Sequence, residues 1–239
     1  MITLGQFADV PGWGFNASPF CSKVETYLRL AGLPFRIEPT LPMAAPKGKL
    51  PFIIDEDGTR IPDSGQIIAH LEATRGARLD GHLTPEQRAL GHLIRRTCEE
   101  SLYFVLLYSR WFDPAGWRTT RPAYFAGMPA ALRGVVPELI RRRLRRDVLG
   151  QGILRHSPEE IYALGCADLD ALAVTLGGRP FFLTDRPGSV DAVVHAFVAN
   201  ILKAPVDNRL KAHAQGLEPL VGFVARLDGL LSESDAGHP

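Results

Sequence analysis

The segment Ser18-Pro19-Phe20-Cys21 has a hydroxyl and a thiol at the spacing of a redox Cys-x-x-Cys motif. A cysteine in the first position would ionise readily at a helix N-terminus, whereas a serine hydroxyl does not ionise near pH 7. The sequence therefore disfavours dithiol exchange. The Ser18 hydroxyl could instead stabilise the thiolate of a bound ligand, which would then be the nucleophile. The alternative is that Ser18 only caps a helix and that Cys21 is a packed, unreactive thiol.

Pro51 stands at the start of a predicted strand, where its missing N–H does little harm to a sheet. A merely structural proline fits this position. A cis Leu50–Pro51 bond would instead expose the backbone N–H and C=O of Leu50 to an extended ligand. The sequence leaves the isomer open.

The segment Pro62-Asp63-Ser64-Gly65 lies where a second helix is expected to begin. Free backbone N–H groups and the helix dipole favour a ligand carboxylate there, while the Asp63 carboxylate could receive an ammonium group. Such a pair would hold the amino-acid end of a ligand. The alternative is that Asp63 or Ser64 only caps the helix.

Short elements separated by glycine and proline must position these residues. The hydrophobic spacing predicts a β-α-β unit, a hairpin that turns at Asp57-Gly58 and a helix from Asp63 or Ser64. Ser18 is placed to cap the first helix, and Gly32 ends it. The predicted strands are 2–7, 35–38, 50–54 and 59–61.

Long helical patterns dominate the rest of the chain. Thr84-Pro85-Glu86-Gln87 and Ser157-Pro158-Glu159-Glu160 each combine a capping residue, a first-turn proline and a capping-box side chain. Further helical patterns cover about 188–202 and 217–231. We therefore predict an α/β domain over residues 1–76 and an all-helical domain over residues 83–232, with the boundary near 75–83.

Composition and charge exclude several classes of protein. The 239-residue chain has 27 basic and 26 acidic residues, so no overall field draws it to nucleic acid. The N-terminus lacks a signal-peptide pattern, and the most apolar run, 102–108, is too short to span a bilayer. Three cysteines do not indicate a disulfide framework. We therefore predict a cytoplasmic protein without membrane insertion.

Familiar catalytic motifs are missing from the sequence. The seven histidines show no metal-ligand spacing, so no metal site is expected, and His195 is interpreted as a satisfied core histidine. The sequence contains no phosphate loop, no dinucleotide fingerprint and no Gly-x-Ser-x-Gly elbow. Nucleotide enzymes and serine hydrolases are therefore disfavoured.

Six arginines between Arg133 and Arg146 form the one basic run of the chain. They could recruit an acidic partner, an anionic lipid surface or an anionic substrate. The alternative is a solvated helix face or a set of interdomain ion pairs. No interleaved aromatic residues indicate base stacking on nucleic acid.

The order and spacing of these segments resemble the glutathione S-transferase superfamily over nearly the whole chain. The resemblance rests on residues 18–28, 47–53, 63–68 and 188–192. It implies a thioredoxin-like glutathione-binding domain over residues 1–76, followed by an all-α domain that forms the second-substrate site. Residues 18–35 are also similar to the branch that includes the failed-axon-connections and metaxin-like proteins.

Carried over residue by residue, the resemblance implies a glutathione site in the first domain. Pro51 would be the cis-proline, and the backbone of Leu50 would pair with the cysteinyl part of glutathione. Asp63 and Ser64 would hold the γ-glutamyl end. Lys49 would reach the glycyl carboxylate, with Lys47 as a nearby substitute.

The resemblance also implies that Ser18 activates the thiol of glutathione, a cosubstrate, for attack on a small hydrophobic electrophile. Asp191 would reach back to the first N–H groups of its helix, although Gly188 replaces the usual Ser/Thr of that motif. A homodimer is the usual state of the family. Aromatic residues that could line the electrophile site or belong to the core are Trp13, Tyr103, Phe104, Tyr108 and Trp111.

Two other functions stay open. A protein with this fold could bind a partner without turnover, with the arginine run as a docking surface. It could also be a glutathione-dependent isomerase or thiol reductase. A reductase would need Cys21 as its nucleophile.

Overall fold

The computed structural model describes residues 1–76 and 78–236. Its N-terminal part consists of β1 (Ile2–Gln6), α1 (Pro19–Leu30), β2 (Phe35–Pro39), β3 (Phe52–Ile54), β4 (Arg60–Pro62) and α2 (Ser64–Thr74). The strand order is β2-β1-β3-β4, with β1 and β2 parallel and the other pairs antiparallel. The predicted β-α-β unit, hairpin and helix are confirmed. β3 begins at Phe52 and not at Leu50, since Pro51 has no N–H to donate to a sheet.

Helices form the rest of the described chain: α3 (Pro85–Arg96), α4 (Tyr103–Trp111), α5 (Pro114–Tyr124), α6 (Val136–Gln151), α7 (Pro158–Leu176), α8 (Ser189–Lys203), α9 (Arg209–Gln215) and α10 (Glu218–Ala236). A π-helical segment, Thr97–Leu102, joins α3 to α4. The capping boxes at Thr84 and Ser157 are confirmed. The structure adds α5, α6 and α9, which the hydrophobic pattern does not predict; a helix face is one alternative for the arginine run, which α6 carries in part.

Helix α1 connects the two parts of the molecule. On one side it packs against the sheet, and Val24 and Leu28 share a core with Leu4 of β1. On the other side it contacts α8 and α10. Leu79 packs in the first core and Leu83 in the larger, helical one. Residue 77, within the predicted boundary region, lies outside the described residues, and the domain bounds stay a prediction.

Candidate functional site

The N-terminus of α1 carries the candidate catalytic hydroxyl. Ser18 is the N-cap residue, and its Oγ accepts a 3.4 Å hydrogen bond from the backbone N–H of Cys21. Pro19 is the first helical residue, and no acidic residue lies in the first turn. The positive end of the helix dipole is therefore not neutralised locally. The half-buried hydroxyl can still donate its proton, so this helix end can stabilise an anion.

Asn16 shapes the Ser18 turn, which we define as residues 16–18. Its side-chain oxygen accepts a hydrogen bond from the backbone N–H of Ser18 (3.0 Å), and its amide donates to the carbonyl of Phe7 (2.6 Å). The Asn16 side chain is buried. Because it contacts the backbone of Ser18, its role is to fix the turn.

Two buried residues of the helical part hold the Ser18 turn from the other side. The Arg110 guanidinium donates to the carbonyls of Ala17 (2.6 Å) and Asn200 (2.7 Å). The Asn200 amide donates to the carbonyl of Asn16 (3.3 Å). Arg110 and Asn200 are only 3% and 1% exposed. Helices α4 and α8 thus fix the backbone that presents the Ser18 hydroxyl, which preorganises it for a ligand.

Cys21 is a packed thiol. Its side chain is fully buried in a small apolar cluster that includes Leu50. Burial raises the pKa of the Cys21 thiol to about 11, although hydrogen bonds with Ser18 and the backbone of Phe7 oppose this shift. Cys21 is therefore protonated near neutral pH and shielded from substrates, which argues against a reductase that uses it as nucleophile.

The Leu50–Pro51 peptide bond is cis, in agreement with the resemblance. Since the Leu50 side chain packs against Cys21, this bond lies beside the first turn of α1. Among the described residues, no hydrogen bond occupies the backbone N–H or C=O of Leu50. Both groups are therefore available to an extended ligand.

Asp63 caps α2 in a strained conformation. Its Oδ1 accepts hydrogen bonds from the backbone N–H groups of Gly65 (2.9 Å) and Gln66 (3.1 Å). Its φ of +73° is unfavourable for a residue other than glycine, and such conformations cluster at ligand sites. The side chain is exposed, and within the described chain its Oδ2 has no hydrogen bond. One carboxylate oxygen therefore caps the helix while the other is free to receive a cation.

A buried ion pair behind Ser64 joins the two parts of the chain. The Lys23 ammonium donates to Ser64 Oγ (3.1 Å) and to Glu99 Oε1 (2.5 Å). Lys23 is fully buried; desolvation lowers the pKa of its ammonium, and Glu99 opposes this shift. Glu99 belongs to the π-helical segment, a distortion that is frequent at functional sites. The pair fixes the Ser64 hydroxyl at the N-terminus of α2.

The two lysines predicted to reach a carboxylate lie on the surface. Lys47 and Lys49 are both exposed in the loop before Leu50. The Lys47 ammonium donates to Gln66 Oε1 at 3.3 Å, which places it close to the N-terminus of α2. Their roles in binding stay predictions.

Aromatic side chains surround the Ser18 turn. Arg110 lies over the ring of Trp13, 5.5 Å from its centroid. Trp13 and Trp111 contact Tyr124 of α5, with ring centroids 5.5 and 5.7 Å apart. The ring of Tyr103 packs against that of Phe20, the residue before Cys21, with an angle of 66° between the ring planes. Aromatic rings from the loop before α1, from α4 and from α5 thus lie together on this side, and Tyr124 of α5 is an addition to the predicted candidates.

Two of the predicted aromatic residues, Phe104 and Tyr108, pack against other rings. Phe104 packs on Tyr103, with ring centroids 5.1 Å apart. Tyr108 is two residues from Arg110, so the two side chains project about 160° apart on α4. Tyr108 packs instead against Tyr162 of α7 at 5.7 Å. It therefore lies on the opposite face of α4 from the Ser18 turn.

His195 and Asp191 of α8 have structural roles. The His195 ring pairs with Asp228 at 2.9 Å and is buried, as expected of a satisfied core histidine. Asp191 accepts from the backbone N–H groups of Phe182 (2.9 Å) and Gly188 (2.8 Å). Burial raises its pKa to about 6, although the hydrogen bonds from these two backbone groups oppose the shift.

Sequence reasoning misses four polar residues of the site: Lys23, Glu99, Arg110 and Asn200. Only Lys23 carries a local signal, since it lies between Phe20 and Tyr27 on the apolar face of α1. The partners of Arg110 are 93 and 90 residues away, and Glu99 is 76 residues from Lys23. Such contacts leave no short-range pattern.

Comparison with known proteins identifies the family. Residues 19–116 match the model for the glutathione S-transferase N-terminal domain, and residues 165–227 match that for the C-terminal domain. The chain is 34% identical to the isoprene-epoxide–glutathione S-transferase of Rhodococcus sp. (strain AD45), over 95% of this chain and 98% of that protein. The chain belongs to the glutathione S-transferase superfamily.

Other relatives lie in the branch that the sequence resembles. The chain is 31% identical to Failed axon connections of Drosophila melanogaster, over 95% of this chain and 57% of that protein. It is 31% identical to metaxin-1 of Mus musculus, over 94% and 74% of the two chains. These matches confirm the predicted branch.

A solved structure confirms the fold. The glutathione S-transferase of Methylobacterium radiotolerans in complex with glutathione sulfonate matches with a TM-score of 0.60, over 98% of this chain and 93% of that chain, at 17% identity. Within residues 1–76 and 78–236, no helix is long and apolar enough to cross a membrane. The same residues contain no cluster of acidic, histidine or cysteine side chains that could hold a metal ion.

Proposed function

We propose that this protein is a glutathione transferase in which the Ser18 hydroxyl stabilises the thiolate of glutathione. The main support is that three features, each able to bind part of a ligand, lie together: the Ser18 turn, the cis Leu50–Pro51 bond and the N-terminus of α2. Near its N-terminus, α1 contacts Leu50 through Cys21 of its first turn and contacts Ser64 of α2 through Lys23 of its second turn. Each feature is ambiguous alone, but together they match the parts of one extended peptide-like ligand.

Glutathione in this proposal lies across the three features. Its cysteinyl part pairs with the free backbone groups of Leu50, next to cis-Pro51. Its γ-glutamyl carboxylate binds at the N-terminus of α2 with Ser64, and its ammonium binds Asp63. Lys49 or Lys47 binds the glycyl carboxylate.

Ser18 then favours the charged form of the bound thiol. Its hydroxyl and the uncompensated end of the α1 dipole both stabilise a thiolate. Lowering a thiol pKa by about two units corresponds to about 2.7 kcal/mol, which one or two hydrogen bonds and a helix end can supply. The thiolate sulfur attacks a carbon of a small hydrophobic electrophile, which we place beside Trp13 and Tyr103. With an epoxide, the C–S bond forms as a C–O bond of the ring breaks, and the resulting alkoxide takes a proton from water. Small epoxides are the first class to test, because the relative at 34% identity is named for isoprene epoxide.

Binding without turnover is the second candidate function. It is favoured by the matches to metaxin-1 and Failed axon connections, whose names denote no transferase. Such a protein would bind a partner, with the arginine run as its docking surface, and would bind glutathione poorly or without lowering the pKa of its thiol. In both proposals we expect a cytoplasmic homodimer, and sedimentation of a monomer would contradict the dimer.

Calorimetric titration of glutathione tests the site. We expect wild type to bind and Asp63→Asn to bind at least about tenfold more weakly, since a charge-assisted bond to the ammonium is lost. Asparagine is the matched change because it can still cap α2 and tolerates a positive φ. Absence of binding to wild type at millimolar glutathione would refute the transferase and favour the second candidate.

The ultraviolet absorbance of the bound thiolate separates the two candidates. If the protein is a transferase, binding to wild type lowers the pKa of the glutathione thiol. In Ser18→Ala, this pKa returns toward that of free glutathione. A protein that binds glutathione with an unshifted thiol pKa supports binding without turnover.

A further inference from the structure

Arg95 of α3 reaches the first turn of α2, where we place the γ-glutamyl end of glutathione. A Cβ added to Gly65 would lie 2.9 Å from Arg95 Nη1 and 3.2 Å from Asp63 Oδ1. The absence of a side chain at Gly65 therefore leaves room for the guanidinium to approach this turn. A cation from the helical part of the chain thus lies beside the N-terminus of α2.

The half-buried Arg95 guanidinium is available to a ligand anion. Its Nη2 lies 3.2 Å from His92 Nδ1 on the surface. Within residues 1–76 and 78–236, no carboxylate lies close enough to form an ion pair with it, although Asp63 is also adjacent to Gly65. The Arg95 and Asp63 charges are therefore neighbours that do not neutralise each other through a direct contact.

The cation on the buried side of the same turn already has its counterion. Lys23 pairs with Glu99 behind Ser64. Desolvation lowers the pKa of the Lys23 ammonium, and the charge of Arg95 adds to this shift, which is consistent with two cations close together. Because Glu99 binds Lys23 and not Arg95, the guanidinium still lacks an anionic partner.

We infer that Arg95 binds the α-carboxylate of the γ-glutamyl residue while Asp63 binds its ammonium group. This inference rests on the proposed glutathione site and adds to it a residue from the helical part of the chain. An α-amino acid carries both charges on one carbon atom, so a site that recognises it needs a cation and an anion side by side. Asp63 and Arg95 meet this condition at Gly65, and together they select thiols with a γ-glutamyl group.

Calorimetry with three thiol ligands tests the role of Arg95. They are glutathione, 4-aminobutyryl-cysteinylglycine, which lacks the α-carboxylate, and glutaryl-cysteinylglycine, which lacks the ammonium group. We expect Arg95→Gln to bind glutathione and the glutaryl analogue at least about tenfold more weakly than wild type does. The affinity for the aminobutyryl analogue should change by less than about twofold, because this ligand has no carboxylate for Arg95 to bind.

Two further variants sharpen the test. Asp63→Asn should show the reciprocal pattern, with weaker binding of glutathione and the aminobutyryl analogue and an unchanged affinity for the glutaryl analogue. The matched control is Arg88→Gln, which removes the same charge from an exposed position about two turns away on the same face of α3. It should change each affinity by less than about twofold.

The outcomes separate this inference from the proposed function. If wild type binds glutathione and Arg95→Gln binds it equally well, the role of Arg95 is overturned and the glutathione site stands. Equal losses for glutathione and the aminobutyryl analogue in Arg95→Gln would indicate an effect on α2 or on general charge and would also overturn it. Failure of wild type to bind glutathione would overturn the transferase and this inference together.

Discussion

Two helices of this chain begin with the same dipeptide but offer different first turns. Ser18-Pro19 opens α1 and Ser157-Pro158 opens α7, with serine as N-cap and proline as first helical residue in both. The third helical residue is Cys21 in α1 and Glu160 in α7. Glu160 accepts a hydrogen bond from the Ser157 backbone N–H at 2.8 Å and completes a capping box.

The charges in the first turns of α1 and α7 decide which of the two helix ends can bind an anion. The first turn of α7 contains Glu159 and Glu160, which neutralise the dipole and would repel a thiolate. The first turn of α1 contains no acidic residue, and Asn16 takes the N–H that a glutamate would otherwise bind. The same local motif thus gives stability in α7 and a candidate binding site in α1.

The largest expected effect is on catalysis. We expect Ser18→Ala to lower kcat/KM by about 10²- to 10³-fold, because a preorganised hydrogen bond to the developing charge is lost. Ser157→Ala, which removes the equivalent cap of α7, should stay within about twofold of wild type. Steady-state kinetics with glutathione and a small epoxide measure both. Equal losses would show that capping, and not thiolate stabilisation, explains the effect.

The next effect tests how the Ser18 turn is held. Arg110→Met should lower the free energy of unfolding by about 2–4 kcal/mol, because the half-buried carbonyl of Ala17 and the buried carbonyl of Asn200 lose a charged donor. Arg143→Met, at an exposed position, should change it by less than about 0.5 kcal/mol. Urea titration measures both values.

A functional readout distinguishes positioning from plain stability. In folded Arg110→Met protein, we expect the pKa of the thiol of bound glutathione to rise, because the Ser18 hydroxyl is no longer held in place. An unchanged thiol pKa in the folded variant would contradict the positioning role of Arg110.

Much of the frame of this site is predictable from local chemistry. Ser18, Pro19, Asp63 and the capping boxes depend on hydrogen bonds within one turn, so their residue types reveal them. The hairpin at Asp57-Gly58 and the end of α1 at Gly32 follow from the backbone freedom of glycine. These contacts span a few residues and leave a pattern in the sequence.

The residues that join the two parts of the chain are not predictable in this way. Arg110 and Lys23 are types that are usually exposed, yet distant partners bury them. The π-helical segment that places Glu99 breaks the helical period without a proline or glycine to mark it. The hydrophobic pattern does not reveal α5 either, because this helix contains an internal proline, Pro122. It also packs so closely on α4 at Gly116 that a Cβ there would lie 1.7 Å from the Ser109 carbonyl oxygen.

A smaller effect concerns the stability of the two helix ends. Ser157→Ala should lower the free energy of unfolding by about 1 kcal/mol, because the hydroxyl accepts a bond from Glu160 N–H within a complete capping box. Ser18→Ala should cost about half as much, because α1 has no capping box and because Asn16 and Arg110 also hold the turn. Thermal and urea unfolding of both variants give the comparison. A larger loss for Ser18→Ala would mean that the Ser18 turn depends on its hydroxyl for folding.

The smallest expected effect is at Cys21, within the same first turn as Ser18. With a pKa of about 11, roughly one Cys21 thiol in a thousand is ionised at pH 8. Burial also keeps reagents away from the sulfur, so we expect that an alkylating reagent does not label Cys21 in the native protein. Labelling should increase as pH rises toward 11, because the thiolate is the reactive form. A Ser18→Cys variant should be labelled at pH 8, because the new thiol lies at the half-buried cap, where the helix dipole favours its thiolate. Because both positions lie on the tryptic peptide 1–23, fragmentation of that peptide in the mass spectrometer locates the label. Rapid native labelling of Cys21 would mean that this turn opens to solvent.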